Sequence, residues 1–431
     1  MMLALIGFSI LLALCFFGFR VGFATLLVGF FGFAYERSFT AATAMVAQQV
    51  LDSSMNYNLS VIPLFILMGV FIYNSDVSRD LYDAAYAVLG KFKGGLALAT
   101  VLACGSFSAV CGSTLATAAT MSKVAMPSMR SFQYSDKLAT GTIAAGGTLG
   151  IMIPPSVPLV IYGLIAEQDI GLLFIAGIVP GIVLVLLFML TVAVFVRLDP
   201  KAAPATTPSN EQRKKKGIRS TLPILLLFIV VLGGIYSGGF TATEASGIGA
   251  CGAAIIAFIR GHLRTIASWK ICLVDATITT AKIFIVLLGA IVFSQFINLS
   301  GLPYDLLDFV DEQQLTAMQL VAFIAFIALL MGMIFEAIGI LVLLVPVFLP
   351  ALGSTGVDMI WFGIIVVIVS EIGLITPPIG MNVFVVKSVI PDAKLRDIFA
   401  GVVPFIFALL LGLVLLFMMP SIATFLPKLM G

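Results

Sequence analysis

The sequence predicts an all-α polytopic membrane protein made of two inverted-topology repeats, each holding a re-entrant hairpin and a broken helix. Three observations carry that prediction. Hydrophobic residues make up 61% of the chain and charged ones 10%, against about 45–50% and about 25% in soluble proteins; mean hydropathy is +1.18. Two stretches, Leu149-Gly150-Ile151-Met152-Ile153-Pro154-Pro155-Ser156 and Ile372-Gly373-Leu374-Ile375-Thr376-Pro377-Pro378-Ile379, set a Pro-Pro pair inside an apolar run. Proline lacks a backbone donor, clashes with the preceding turn and pushes its predecessor out of the helical region, so each pair ends a helix partway across the bilayer. Finally, Ala176-Gly177-Ile178-Val179-Pro180 answers Ala400-Gly401-Val402-Val403-Pro404, at nearly the same distance from each break.

The elements follow in order. A helical span needs about 20 apolar residues. Runs near 2–19, 21–35, 59–75, 136–166 (broken at Pro154-Pro155), 169–197, 221–240, 243–260, 281–298, 357–390 (broken at Pro377-Pro378) and 398–419 meet that need. The first lacks the basic start and cleavage site of a signal peptide and reads as a membrane helix. Regions 95–126 and 315–350 are interrupted, the one by Gly105-Ser106-Phe107-Ser108 and Cys111-Gly112-Ser113-Thr114, the other by Gly332, Glu336 and Gly339. Limbs that short read as hairpins entering and leaving on one side. Segments 78–92 and 262–280 mix charge with Leu, Tyr, Ile and Trp and read as interfacial helices. The first repeat thus covers 1–198, a solvated linker 199–220, and the second repeat 221–431.

Lys and Arg favour cytoplasmic loops. With the Arg213-Lys214-Lys215-Lys216 linker inside, every one of the 23 basic residues falls inside except Arg37, Lys428 and Lys282. Both termini are then periplasmic. Five crossings per half invert the second half relative to the first, so the two hairpins open to opposite faces. Lys282 reads as snorkelling from near a span end. The five cysteines, 15, 104, 111, 251 and 272, show no metal-ligand spacing and read as packing residues, while His262 sits in a basic loop.

No phosphate-binding G-x-x-x-x-G-K-[ST], H-E-x-x-H or G-x-S-x-G is present, which argues against direct ATP use and the commoner hydrolases. No catalytic residue, organic cofactor or nucleic-acid partner is expected. Paired breaks in two halves point instead to a secondary transporter's binding site. Unwound carbonyls and half-helix C-termini suit a hard cation. One such site would join Ser106 and Ser108 to Gly150, Ile153 and Pro155; the other would join Gly332 to Gly373, Thr376 and Pro378. The opposite half-helix N-termini would face an anionic solute, with Ser113, Thr114, Ser156 and Asn382 as its polar neighbours. Glu336 and Glu371 are candidate ion-coupling carboxylates, because an intramembrane carboxylate costs about 2.5–3.5 kcal/mol even on the insertion scale.

The hairpin Gly105–Thr114, the run Gly-Thr-Leu-Gly-Ile-Met-Ile-Pro-Pro-Ser at 147–156 and Glu-Ile-Gly-Leu-Ile-Thr-Pro-Pro-Ile-Gly at 371–380 resemble the large membrane subunit of tripartite ATP-independent periplasmic (TRAP) transporters, over essentially the whole chain. The resemblance implies an elevator-type permease of the bacterial inner membrane, with a scaffold and a mobile transport domain. It implies sodium-driven import of an organic acid, delivered by a periplasmic substrate-binding protein. It also implies a small four-helix membrane subunit, expected here as a separate chain because no four-span block precedes Met1. By position, Ser106, Gly150, Ile153 and Pro155 match one sodium site, and Gly373, Thr376 and Pro378 the other. Glu336 departs from the Asp expected in many relatives. A free-standing anion or cation exchanger of the same fold is the alternative, and an intramembrane enzyme using Glu336 or Glu371 a third reading.

Overall fold

The computed structural model describes residues 2–204 and 211–430, with side chains described outside 211–218. Among these residues the chain is helical without strands. The first half runs α1 (Met2–Phe16), α2 (Val21–Glu36), α3 (Phe39–Met55), α4 (Val61–Tyr73), α5 (Val77–Leu89), α6 (Gly95–Cys111), α7 (Thr114–Ser131), α8 (Asp136–Thr148), α9 (Val157–Ile165) and α10 (Ile170–Leu198). The second runs α11 (Glu211–Tyr236), α12 (Ala242–Ile259), α13 (Ile266–Leu299), α14 (Leu302–Glu312), α15 (Ala317–Gly332), α16 (Ala337–Ser354), α17 (Met359–Ile375), α18 (Met381–Val389), α19 (Leu395–Met418) and α20 (Ser421–Met430).

Both Pro-Pro pairs interrupt the helix, as proline chemistry requires. After α8, a 3-10 turn at Leu149–Ile151 leads into non-helical backbone before α9. After α17, residues 376–380 are non-helical before α18. The Pro154–Pro155 and Pro377–Pro378 bonds are both cis. Ser156 caps α9 by accepting the Leu159 N–H at 3.4 Å, and Ser113 caps α7 by accepting that of Ala116 at 3.4 Å. The hydroxyls thereby satisfy donors that a helix start leaves free.

Among the described residues, six helices are long and apolar enough to cross a membrane on their own, or seven if the bent pair α3–α4 counts as one span. One of the six, the 18-residue α16, lies in the region expected as a hairpin limb, and the ten expected crossings exceed the count because several are assembled from short pieces: α8 with α9, α17 with α18, and the 15- and 16-residue α1 and α2. The element order repeats. A long helix, a short amphipathic helix, a helix pair, a broken helix and a long helix occur as α3–α4 to α10 and again as α13 to α19.

Four expectations need correction. Segment 262–280 is not a separate interfacial helix: its residues from Ile266 onward form the start of α13, which continues unbroken to Leu299 over 34 residues. Trp269 anchors that start, donating from its ring N–H to the Leu263 carbonyl at 2.9 Å and packing edge-on against Phe71. Lys282 accordingly sits in mid-helix. The linker is also shorter than expected, since α11 begins at Glu211; residues 205–210 of it lie outside the described residues. Finally, α3 and α14 were not anticipated. Both carry enough polar side chains to hide their helical character from a hydropathy reading.

Candidate functional site

Each helix pair brings its tip against one break. In the first pair, the α6 face formed by Gly105 and Ser108 meets the break after α8. A Cβ on Gly150 would lie 2.8 Å from the Ser108 hydroxyl, and one on Gly105 3.6 Å from Ile153 Cδ1. Gly112, at φ +60°, turns the chain at the tip, where a Cβ would lie 3.5 Å from the Pro155 carbonyl. Ser108 is fully buried and donates to the Thr117 hydroxyl at 3.1 Å. Thr117 in turn donates to the Ser113 carbonyl at 2.9 Å. Ser106 is half-buried. Two residues along a helix turn through about 200°, so its side chain points away from the break that Ser108 faces.

The second tip meets the second break through two glycines. A Cβ on Gly373 would lie 2.4 Å from the Gly332 backbone; only glycine permits this approach. Thr376 is half-buried and donates to the Ile372 carbonyl. Pro377 and Pro378 are exposed, whereas Pro154 and Pro155 are buried. Both breaks therefore pair hydroxyl and carbonyl oxygens with a hairpin tip, an oxygen-rich setting of the sort hard cations prefer.

A cavity of about 510 Å³ lies between the tips and the long helices. Gly112, Ser113 and Thr114 line it from the first tip, Glu336, Ala337 and Ile338 from the second, and Val157 and Pro158 from the start of α9. Three helix N-termini, those of α7, α9 and α16, thus open on one space with their partial positive charge. Opposite them, α13 presents Asp275, Thr279 and Lys282, three polar residues at helical spacing on one face. All three were missed as site residues. The spacing was the available signal, masked by the reading of 262–280 as a separate element. Glu336 precedes α16 without capping it and is exposed to the cavity.

The remaining candidates lie elsewhere. Ser156 is buried, donating to the Ile151 carbonyl; it shapes the start of α9 and does not line the cavity. Asn382 is fully buried on α18, where its amide nitrogen donates to the Ala144 carbonyl at 3.2 Å and its carbonyl oxygen has no partner. It ties the second broken helix to the first. Glu371 is fully buried, with both carboxyl oxygens unpartnered.

The comparisons with known proteins agree with one another. A family model described as "Tripartite ATP-independent periplasmic transporter, DctM component" matches residues 8–422. The chain is 35% identical over 387 residues to the C4-dicarboxylate TRAP transporter large permease of Pseudomonas aeruginosa, covering 90% of each chain. It is 30% identical over 419 residues to the sialic acid TRAP transporter large permease of Vibrio cholerae, covering 97% of each. Among solved structures, the Alcanivorax borkumensis YdaH transporter superposes with a TM-score of 0.62 at 15% identity, over 87% of this chain and 89% of that one; that likeness concerns the fold.

Proposed function

The chain belongs to the DctM-component family of tripartite ATP-independent periplasmic transporters, and from that membership we propose that it is the large permease subunit of a sodium-coupled importer of an organic acid anion, working by an elevator movement. It is a transporter subunit and not an enzyme. Its partners in this reading are a small membrane subunit and a periplasmic binding protein that delivers the solute. Relatives named for C4-dicarboxylates and for sialic acid support the anion class.

The observation that carries the reading is the meeting of each hairpin tip with its own helix break. In this reading one sodium ion sits among Ser108, Thr117 and the Gly150, Ile153 and Pro155 carbonyls. The other sits between Gly332 and Gly373, with Thr376 and the Pro378 carbonyl. Behind the cavity, these two charges make it hospitable to an anion held by Ser113, Thr114, the N-termini of α7, α9 and α16, and Lys282. The broken helices and hairpins form the moving body; α2, α4 and α13 belong to the scaffold, and the two repeats are inverted relative to each other. In this reading the linker lies in the cytoplasm and both termini in the periplasm, which the positive-inside pattern supports. Each sodium entering down about 100 mV contributes about 2.3 kcal/mol, enough for two ions to drive uphill uptake.

The test is uptake in proteoliposomes holding the assembled permease, with its binding protein outside. Solute accumulation is expected to need an inward sodium gradient and to collapse when sodium is replaced by potassium. Accumulation unchanged without sodium would overturn the coupling. Uptake by this chain alone would favour the free-standing exchanger.

A further inference from the structure

The long helices α10 and α19 run antiparallel, sealed by close contacts at both ends. A Cβ on Gly412 would lie 2.7 Å from Leu184 and 3.5 Å from Leu187 of α10. Between them Phe188 packs edge-on against Phe405, with ring centres 5.2 Å apart. Beside this seam an apolar groove of about 550 Å³ opens on the exposed surface of the pair. Ala408 is its buried floor, and Leu190, Val194, Phe407 and Leu411 stand exposed along its walls. Thr191 also lines it, but its hydroxyl is already satisfied, donating to the Leu187 carbonyl at 2.8 Å.

The length of the groove matches one half of a bilayer. From Leu187 to Leu198 it follows α10 for about 16 Å at the helical rise per residue. A leaflet of a hydrocarbon core about 30 Å thick is about 15 Å deep. Charge enters the lining at one end only, as Lys137 from α8 and Asp199 just after α10. Both are exposed. The Lys137 ammonium lies over the Phe195 ring, 5.5 Å from its centre. The Asp199 carboxylate caps no helix start. Among the described residues neither forms an ion pair, with the other or with a third group. An apolar slot one leaflet long therefore ends in a cation and an anion that leave each other unpaired.

We propose that this groove is a binding site for an aminophospholipid, with one acyl chain lying between α10 and α19. Its phosphate accepts from Lys137 and its primary ammonium donates to Asp199, two charge-assisted contacts. The headgroup choice follows from Asp199. A phosphatidylglycerol headgroup would satisfy Lys137 but bring its negative charge beside the carboxylate, and a choline headgroup has no N–H to donate. In the topology proposed above, the lipid belongs to the cytoplasmic leaflet, where basic residues between membrane helices commonly meet lipid headgroups.

The experiment places the assembled permease in phosphatidylcholine discs doped with lipids whose acyl chains are brominated and alike. Leu190→Trp, on the groove wall, reports quenching above the background of the native Trp269 and Trp361. Brominated phosphatidylethanolamine is expected to quench at about one-third of the mole fraction needed by brominated phosphatidylcholine or phosphatidylglycerol, an advantage of the size an exposed ion pair supplies. Adding Asp199→Asn should abolish the preference over phosphatidylcholine and let phosphatidylglycerol compete at least equally. Adding Lys137→Gln to that background should remove the gain of phosphatidylglycerol. Equal quenching by the three lipids with both charges present would overturn the site, and so would a preference that survives Asp199→Asn. Phosphatidylglycerol winning while Asp199 is intact would overturn the aminophospholipid assignment. These readouts use neither sodium nor solute. Sodium-independent uptake would therefore sink the coupling reading and leave the lipid site standing, while equal quenching would do the reverse.

Discussion

At Gly150 and Gly373, the lack of a side chain lets a hairpin tip touch a helix break, but the two glycines face different neighbours. A Cβ on Gly373 meets backbone atoms of Gly332 at 2.4 Å, which cannot rotate aside. One on Gly150 meets the Ser108 side chain, with Cβ at 2.7 Å and the hydroxyl at 2.8 Å, which can give in part. Gly373→Ala is therefore expected to lower the melting temperature of the purified subunit more than Gly150→Ala, at the upper end of the roughly 1–3 kcal/mol typical of overpacking. Ser108→Ala removes a buried hydroxyl whose hydrogen bond contributes about 0.5–1.5 kcal/mol. Its larger expected effect is at least a tenfold rise in the sodium concentration that half-saturates uptake, measured in proteoliposomes. An unchanged sodium dependence would remove Ser108 from the cation site. Much at this scale was legible in the sequence: Gly150, Pro155, Gly373 and Pro378 announce themselves through proline chemistry. Thr117 and Lys282 did not, because their role comes from which helix faces which, and one sequence does not print that.

The same contrast holds for whole elements. The breaks and the hairpins were legible because Gly, Ser and Pro interrupt apolar runs in ways that only unwinding or turning explains. The continuity of α13 was not, since Trp269, Lys270 and Asp275 look like an interfacial segment until the fold shows one continuous helix. Nor was the tie that joins the end of α7 to the start of α8. There Arg130 forms ion pairs with Asp136 at 2.8 Å and Asp392 at 2.6 Å, joining the first hairpin limb to the loop before α19. The hydrogen bond from Arg130 holds the Asp392 carboxyl below the usual carboxylate value. A depressed folded pKa contributes stability above the unfolded value of about 3.9 and loses it as pH falls through the folded value. The melting temperature of wild type is thus expected to exceed that of Arg130→Gln by a constant margin from roughly pH 5 to pH 8, and the margin to shrink below about pH 4. Both carboxylates are well exposed, so the margin is small. A margin that grows on acidification would contradict this assignment.

Across the whole molecule, the cavity between the tips poses an electrostatic problem that the proposed cation sites would answer. Its acidic and basic lining is one cation, Lys282, and two carboxylates, Asp275 and Glu336. With all three ionised these side chains sum to one negative charge, and three helix N-termini of about half a charge each, whose first turns line the space, offset it. An organic anion entering such a space is held more firmly if further positive charge arrives first. The two hairpin–break junctions lie directly behind the tips, where bound sodium would supply it. On the proposed coupling, sodium is expected to precede solute, and the half-saturating solute concentration should fall as sodium rises. Lys282 is then the basic side chain of the cavity lining that would reward the anion directly. Lys282→Gln is expected to raise the half-saturating solute concentration about tenfold, equivalent to about 1.4 kcal/mol, while leaving the half-saturating sodium concentration within about twofold. Lys282→Arg keeps the charge and should recover most of the loss. If Lys282→Gln instead shifted sodium and solute dependence together, Lys282 would be acting on the cation sites, and the anion would have to be held by the hairpin tips alone.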